Sequence, residues 1–313
     1  MIIINMILFS MNIKIIGGTI MESNIVRAVI NIYDSNERPN LKKYANILSN
    51  EKNKNRVKAM GSELESYSKD IFANTYNIDD VEKKLEQYNK ILSYLGGSKN
   101  PPDFIIKNGA AVEVKKVESN GELQLNSSSP KKTLKSTSDK ITEECRNCET
   151  GWTEKDMVYI IANQNKNDKI VESIWLIDAK CYIADESIYL KAFKLVKDNI
   201  SNINGLSSVE SKELARIGEI DGLDITKLRV RAMWTIQHPN TVFNTFVSND
   251  DTDKFRIYAL ILKETFESYP KDDIKILNQL ISDGKITKLN TTVTDPDDKS
   301  KKLNVVLLKL LID

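Results

Sequence analysis

The chain has 313 residues, 41% of them hydrophobic and 28% charged, which is enough for one large domain or two modest ones with a core. The formal net charge of +1 excludes an inference of nucleic-acid binding from bulk charge, so any basic surface must be local. One histidine, His238, and three cysteines exclude multi-histidine metal motifs and a disulfide framework, and they favour reduced, cytoplasmic surroundings.

The first 21 residues are largely apolar and partly resemble a signal peptide. A basic n-region is missing because Lys14 lies inside the apolar stretch, and Asn5 and Asn12 make the segment a poor membrane span. We expect residues 1–21 to be an N-terminal extension and residues 22–313 to form a single domain that does not enter a membrane.

Apolar residues recur at helical spacing in the first third of the chain, as Ile25, Val26, Val29 and Ile30 do. Such a pattern predicts an amphipathic helix with one buried face. The predicted helices span residues 22–33, 41–48, 56–72 and 81–95, and the pair Gly96-Gly97 closes the last of them.

The pattern changes at Asn100-Pro101-Pro102, because proline breaks a helix. Two apolar strands, 104–106 and 111–117, flank the tight-turn signal Asn108-Gly109 and predict a β-hairpin. Helices followed by interleaved strands predict a single α/β domain, with a mixed β-sheet flanked by helices. The remaining predicted elements are a loop at 120–139, strands at 157–163, 174–183, 228–236 and 255–262, helices at 189–200 and 274–281, and a tail hairpin through 294–298.

Charged side chains alternate with valines on the second strand of the predicted hairpin. Because successive side chains point to opposite faces of a strand, Val112 and Val114 share one face, and Glu113 and Lys115 share the other. The hairpin brings Asp103, at the start of its first strand, near this charged pair.

Two carboxylates and a lysine at a strand end suit phosphodiester hydrolysis. Asp103 and Glu113 are oxygen ligands of the kind that hold Mg²⁺, and the Val114 carbonyl is a further candidate ligand. The metal acidifies a water and offsets charge on the phosphate, while Lys115 can orient that water. The alternative is a solvated ion pair of Glu113 with Lys115. A second Pro-Asp, at Pro296-Asp297, lacks a strand that presents an acid and a lysine on one face.

The spacing of Pro102-Asp103, nine intervening residues and Glu113-Val114-Lys115 resembles the PD-(D/E)XK nuclease signature. From about residue 56 to 245 the chain also resembles the NgoPII restriction endonuclease family, most densely over 94–128. The segments that carry this resemblance are Tyr94-Leu95-Gly96, Asn100-Pro101-Pro102-Asp103, Asn108-Gly109, Val112-Glu113-Val114-Lys115-Lys116, Leu125-Asn126-Ser127-Ser128, Lys155-Asp156, Tyr159-Ile160, Leu228-Arg229-Val230-Arg231 and Met233-Trp234.

The resemblance implies a PD-(D/E)XK restriction-endonuclease-like core and Mg²⁺-dependent cleavage of double-stranded DNA at the palindrome GGCC, with 5′-phosphate and 3′-hydroxyl ends. It implies that Asp103 and Glu113 are metal ligands and that Lys115 is the catalytic lysine. Many nucleases of this class carry a further acid on a helix ahead of the motif, and Glu65 is our candidate for it. The alternative for Glu65 is an ordinary solvated helix glutamate.

Two segments are candidates for DNA contacts. Arg229 and Arg231 share one face of a predicted strand, and arginine bound to guanine is the commonest specific base contact. The loop after the hairpin has side chains suited to phosphates and base edges. The alternatives are salt bridges to neighbouring acids for the arginines and a solvated loop for the second segment. The loop candidates are Asn126, Ser127, Ser128, Lys131 and Lys132.

Cys145 and Cys148 have the spacing of half a zinc site, but only Cys181 and His238 remain to complete it, so free thiols are the simpler interpretation.

The sequence predicts a type II restriction endonuclease. It would act as a homodimer on a palindrome, beside a cognate DNA methyltransferase. The alternatives are a repair or structure-specific nuclease and a DNA-binding protein without catalysis.

Overall fold

The computed structural model describes residues 21–97, 100–125, 128–203, 207–209, 211, 213–247, 251 and 253–313. The predicted DNA contacts Asn126 and Ser127 and residues 1–20 of the predicted extension lie outside these ranges. Within them, no helix is long and apolar enough to cross a membrane.

Side-chain caps begin several helices, since Asn24, Ser62 and Asp80 each accept a hydrogen bond from a backbone N–H of the following turn. The helices are α1 (Ile25–Ser35), α2 (Leu41–Asn50), α3 (Lys54–Met60), α4 (Glu63–Ala73), α5 (Val81–Ile91), α6 (Glu143–Arg146), α7 (Glu186–Ser201), α8 (Pro239–Val242), α9 (Lys263–Glu267) and α10 (Lys271–Ser282).

The strands combine parallel and antiparallel pairing. They are β1 (Leu92–Tyr94), β2 (Phe104–Ile106), β3 (Ala111–Val117), β4 (Leu123–Leu125), β5 (Thr133–Lys135), β6 (Glu154–Gln164), β7 (Val171–Asp178), β8 (Ser207–Val209), β9 (Ala215–Gly218), β10 (Leu228–Val230), β11 (Trp234–Ile236), β12 (Phe255–Leu262), β13 (Ile286–Thr294) and β14 (Lys302–Ile312). Within the described residues, a nine-stranded sheet runs β1-β2-β3-β6-β7-β12-β14-β13, and β5 pairs with β6. The pairs β3/β6 and β7/β12 are parallel. Two smaller sheets are β10-β9-β8 and β11-β4.

The large sheet carries a different core on each face. On one face, Val112 and Val114 pack with apolar residues of α1, α2, α4, α5 and α10. On the other, Ala111 and Tyr159 pack with Cys145 of α6 and with residues of connecting segments. Helices therefore cover the first face, whereas loops and short helices cover the second. A strand such as β3 presents valines to the helices and its alternate side chains to the second face.

The structure confirms the mixed α/β sheet with flanking helices, the β2–β3 hairpin and the tail hairpin of β13 with β14. The predicted strand at 255–262 is β12. These elements were predictable because their apolar patterns are strong and their turns carry clear signals, such as Asn108 in the left-handed region at φ 57°.

Several predicted boundaries are wrong. The helix predicted at 56–72 is two helices, because Gly61 takes φ +79° and ends α3. The helix predicted at 81–95 ends at Ile91, because the next three residues pair with β2. The predicted strand 228–236 is divided between two sheets, as β10 and β11. The predicted loop 120–139 contains β4 and β5, and the strand predicted at 174–183 ends at Asp178.

A buried ion pair joins two helices of the helical face. Lys84 of α5 donates to the Asp70 carboxylate of α4, and both side chains are buried. Three hydroxyls also donate to that carboxylate: Tyr44 at 2.7 Å, Thr75 at 2.6 Å and Tyr88 at 2.6 Å. The Asp70 network is therefore saturated with donors, as a buried carboxylate requires.

We expect Asp70→Ala to lower the free energy of unfolding by about 3–5 kcal/mol, because it leaves the Lys84 ammonium buried without its partner. Urea denaturation measures this loss. Asp79→Ala is the control, since Asp79 forms an exposed ion pair with Lys43 at 3.3 Å and should change the stability far less. A similar loss in both variants would contradict this account.

Candidate active site

The β2–β3 hairpin fixes Asp103 against the second strand. The Asp103 backbone N–H donates to the Val112 carbonyl at 3.0 Å, and the Val114 N–H donates to Asp103 Oδ2 at 2.6 Å. Backbone pairing of β2 with β3 ends at Phe104 and Val112. Alternate residues of β3 direct their N–H groups to the β2 side, so the next such N–H belongs to Val114. A carboxylate occupies the position where a neighbouring strand would otherwise continue.

Glu113 and Lys115 lie on the face of β3 opposite to the helices, as the alternation predicts. Lys115 Nζ donates to Glu113 Oε1 at 2.6 Å, and the two side chains are 26% and 15% exposed. The second carboxylate oxygen, Glu113 Oε2, is buried and has no hydrogen-bond partner. A buried carboxylate oxygen without a donor costs free energy, so a cation at this position would be stabilised.

Glu65 lies at the N-terminal end of α4. Its Oε1 accepts a hydrogen bond from the Ser62 hydroxyl at 2.9 Å. A Cβ at Gly61 would stand 2.1 Å from Glu65 Oε2, so glycine at that position leaves space for the carboxylate. The helix cap and the glycine together place this acid near the hairpin.

The surroundings of the site act on the protonation of Asp103 and Lys115. The pKa of Asp103 is raised well above its usual range by burial and by the Glu113 and Glu65 carboxylates, which outweigh Lys115 and the Val114 N–H. Burial lowers the pKa of Lys115, but Glu113, Asp103 and Glu65 outweigh that effect and raise it. The structure therefore gathers Asp103, Glu113, Glu65 and Lys115 into one electrostatically coupled group.

Gly96 gives the Asp103 backbone room. Gly96 takes φ +81°, and a Cβ there would stand 1.9 Å from the Asp103 carbonyl oxygen. Both observations require glycine at this position. The predicted role of the Gly96-Gly97 pair as a helix end is wrong, since strand β1 comes between α5 and the glycines. Gly96 instead supports the start of β2.

Tyr159 connects β3 to the segment that follows the hairpin. It stands opposite Glu113 in the β3–β6 pairing, and Glu113 contributes to raising its pKa after the larger effect of burial. The Lys131 N–H donates to the Tyr159 hydroxyl at 2.9 Å, and this hydroxyl donates to the Lys131 carbonyl at 3.2 Å. The backbone at Lys131 is therefore attached to the face that carries Glu113.

The two lysines among the DNA-contact candidates of that segment have partners within the chain. Lys131 Nζ donates to Glu186 at 2.9 Å, and Lys132 pairs with Asp297 of the β13–β14 turn. Ser128 and Lys131 line a cavity of about 530 Å³. The second Pro-Asp, at Pro296-Asp297, thus provides an ion-pair partner.

The two predicted guanine-reading arginines both bind one acid. Arg229 donates to the two carboxylate oxygens of Glu213 at 2.9 and 2.6 Å, and Arg231 donates to one of them at 2.7 Å. Their guanidinium-bearing side chains remain 52% and 63% exposed. In this structure both arginines form salt bridges, as the alternative interpretation predicts. Their exposure leaves both accessible to a partner.

The remaining metal-site candidates have other surroundings. Cys145, Cys148 and Cys181 are free thiols. The His238 ring bonds to Asn163 Oδ1 at 2.7 Å and accepts from the Asn240 N–H at 3.0 Å. In the part of the chain that the structure describes, no group of three His, Cys, Asp or Glu side chains is arranged to hold a metal.

The fold and this site define a mixed α/β protein with an acidic, lysine-bearing site of the kind that hydrolases of phosphodiesters use. The family model for the NgoPII restriction endonuclease matches residues 23–294. The chain is 35% identical over 288 residues to the type II restriction enzyme NgoPII of Neisseria gonorrhoeae, across 91% of this chain and 98% of that protein. The chain belongs to the NgoPII restriction endonuclease family and is thus a type II restriction enzyme. No solved structure matches it.

Sequence reasoning missed three residues that build the site: Lys69, Gly96 and Tyr159. Lys69 follows Glu65 by four residues and so shares its helix face, but spacing alone does not reveal that the ammonium is buried. In the sequence, Gly96 is predicted to end a helix and Tyr159 to lie in a strand, and both belong to segments that carry the family resemblance. A sequence gives no signal for the contact of Gly96 with a backbone from another element.

We expect Gly96→Ala to be more destabilising than Gly284→Ala. Both glycines have positive φ, +81° and +69°, but a Cβ at Gly284 would meet nothing within 4 Å. Gly284→Ala should therefore cost only the left-handed backbone strain, about 1–2 kcal/mol. Gly96→Ala should add the clash with the Asp103 carbonyl and reduce cleavage. Urea unfolding of the two variants tests this, and equal losses would show that the close approach is absent.

Asp103→Asn should raise the melting temperature of the metal-free protein while abolishing cleavage. Because the pKa of Asp103 is raised, folded protein binds its proton more tightly than the unfolded chain, so stability falls as pH rises above about 4. The uncharged asparagine removes this penalty and can still accept from the Val114 N–H. The gain over wild type should grow with pH, as thermal melts in EDTA at several pH values would show.

Asp80→Asn is the control, because the pKa of Asp80 is shifted in the direction opposite to that of Asp103. The pKa of Asp80 is lowered, chiefly by the Lys83 N–H, so its contribution favours the fold at neutral pH and is lost in acid. Asp80→Asn should therefore leave the melting temperature unchanged or lower it. A destabilised Asp103→Asn protein at neutral pH would refute the electrostatic description of the site.

Proposed function

We propose that the protein hydrolyses phosphodiester bonds of double-stranded DNA at a short palindromic sequence, with Mg²⁺, to give 5′-phosphate and 3′-hydroxyl ends. The observation that carries this proposal is the convergence of Asp103, Glu113 and Lys115 on one hairpin in a member of the NgoPII restriction endonuclease family. The target sequence GGCC and the PD-(D/E)XK type of core rest on the resemblance noted in the sequence.

The oxygen atoms near Asp103 and Glu113 fit a hard divalent cation. Glu113 Oε2 is buried without a donor. The Val114 carbonyl points the same way as its own N–H, which donates to Asp103 Oδ2. Mg²⁺ commonly binds one or two carboxylates and completes its shell with waters and substrate phosphate.

When bound, Mg²⁺ supplies positive charge at the scissile phosphate and acidifies a water. The chain contributes the remaining functions. Asp103, directly before β2, and Glu113 of β3 would hold the cation, and the hairpin fixes their relative position. Lys115 stays protonated because the neighbouring acids raise its pKa, so it brings a positive charge to the phosphate and a donor to the attacking water. Glu65 is the proposed further acid of the site.

The segment after the catalytic hairpin is the proposed DNA-contacting surface. Its backbone is attached to the catalytic face through Tyr159, which supports a location close to the scissile phosphate. DNA phosphates would replace Glu186 and Asp297 as partners of the two lysines. Guanine would replace Glu213 at the two arginines. The proposed contacts are Asn126, Ser127, Ser128, Lys131, Lys132, Arg229 and Arg231.

A palindromic target favours a homodimer, in which a two-fold axis relates the subunits and each subunit cuts one strand. A cognate DNA methyltransferase would protect the host's own sites. The three free cysteines, two of them buried, are in keeping with a reducing, cytoplasmic environment.

A plasmid digest with and without Mg²⁺, run on wild type and Lys115→Ala, tests the proposal. Wild type should give discrete bands, and Lys115→Ala should lose activity on the order of 10²–10³-fold or more because it removes a charge that stabilises the transition state. Lys116→Ala is the matched control. Lys116 is the next residue of β3, is directed to the opposite face and pairs with Glu63 at 3.3 Å, so its loss should leave cleavage nearly unchanged.

Other digest patterns would identify the alternatives. A smear would indicate a repair or structure-specific nuclease, and bands that do not map to GGCC would reject that target alone. Full activity in both Lys115→Ala and Asp103→Ala would reject the site. DNA binding with salt dependence but no cleavage by any divalent metal would indicate a binding protein.

A further inference from the structure

Lys69 is a fully buried lysine on the helix that carries Glu65. Its Nζ donates three hydrogen bonds to backbone carbonyls: Ala59 at 2.8 Å, Met60 at 3.0 Å and Leu95 at 2.8 Å. An ammonium group has three N–H donors, so these carbonyls use its whole capacity. Among the described residues, no carboxylate lies within hydrogen-bond distance of Lys69, unlike Lys84, which is also buried in the helical layer.

The carbonyls that Lys69 binds belong to two segments next to the site. Ala59 and Met60 form the end of α3, where helix carbonyls lack partners inside the helix and favour a cation. Leu95 immediately precedes Gly96, whose backbone lies close to the Asp103 carbonyl. The Lys69 ammonium thus connects the end of α3 to Leu95, the residue before Gly96.

Lys69 is also aligned with Glu65. The two residues are four positions apart on α4, so they share one face of that helix. Gly61, directly after Met60, leaves space for the Glu65 carboxylate. The same three hydrogen bonds therefore fix the surroundings of two acids that come from different elements.

We propose that Lys69 is a positioning residue that sets the distance between Glu65 and Asp103, and thereby the affinity of the site for its divalent cation. The inference rests on the proposed metal-dependent function, because it assigns a role towards the same site. Lys69 touches neither cation nor DNA in this role. It acts by holding the Met60 and Leu95 carbonyls.

A purely electrostatic role makes the opposite prediction for cation binding. Burial lowers the pKa of Lys69 to about 8, while the carboxylates of Glu65 and Asp103 act to raise it. A positive charge near two acids weakens binding of a further cation, so its removal alone would tighten the binding of metal. A positioning role predicts weaker binding, because the acids lose their fixed separation.

The test is the affinity for Mn²⁺ of the full chain without DNA, measured by electron paramagnetic resonance of the free ion, together with the Mg²⁺ dependence of plasmid cleavage. Lys69→Met keeps the length of the side chain and removes all three donors. We expect about tenfold or greater weakening of Mn²⁺ binding, the usual effect of losing an outer residue that orients a ligand. The Mg²⁺ concentration for half-maximal cleavage should rise in parallel.

Lys84→Met is the matched control, since it also removes a buried lysine of the helical layer but leaves the Leu95 and Met60 carbonyls bound. It should lower the melting temperature without changing Mn²⁺ affinity. Lys69→Gln, whose amide still offers two donors, should bind Mn²⁺ better than Lys69→Met, and it serves as the test variant if Lys69→Met does not fold.

Unchanged or tighter Mn²⁺ binding in folded Lys69→Met, or equal weakening in Lys84→Met, would overturn the inference. In either case wild type would still bind Mn²⁺ and cut DNA, so the proposed function would stand. A wild-type chain that binds no Mn²⁺ and cuts no DNA would instead overturn the proposed function, and this inference with it.

Discussion

The hydrogen bond from the Val114 N–H to the Asp103 carboxylate is the contact on which the site depends. It exists only because β2 stops pairing with β3 at Val112, which leaves the next N–H on that edge open to a side chain. The hairpin register, the left-handed turn at Asn108 and the close approach of Gly96 each serve to bring Asp103 to this position. A one-residue slip of the hairpin would turn Glu113 and Lys115 towards the helices.

The same geometry lowers the stability of the fold at this site. It places three carboxylates near one another in partly buried surroundings, which raises the pKa of Asp103, and it leaves Glu113 Oε2 without a donor. Lys115 offsets part of this repulsion. Such strain is common where function requires an arrangement that stability alone would not select, and the surrounding structure must then compensate. The saturated Asp70 network and the helical core stabilise the helical layer.

The two faces of the sheet differ in what covers them and in which candidate site residues they carry. The helical face contributes most of the apolar packing and holds α4, which delivers Glu65 and Lys69. The opposite face is covered by loops, and there Tyr159 links the strand next to Glu113 with the backbone of Lys131. Glu113, Lys115 and the backbone of Lys131 therefore lie on the face that is covered by connecting segments. Loops there can exchange partners at little cost to the core.

Local patterns in the sequence determined the hairpin, the alternation that separates Val114 from Glu113 and Lys115, the tail hairpin and the family resemblance. The hairpins and the alternation follow from strand periodicity and turn chemistry, which act between near neighbours, whereas the family resemblance follows from matching residues. Only the tertiary structure decided that residues 92–94 leave helix α5 to pair with β2, that Arg229 and Arg231 share Glu213, and that Gly96 and Lys69 support Asp103. Each of these depends on contacts between separate elements of the fold, and no local propensity encodes which backbone or acid of another element a residue will meet.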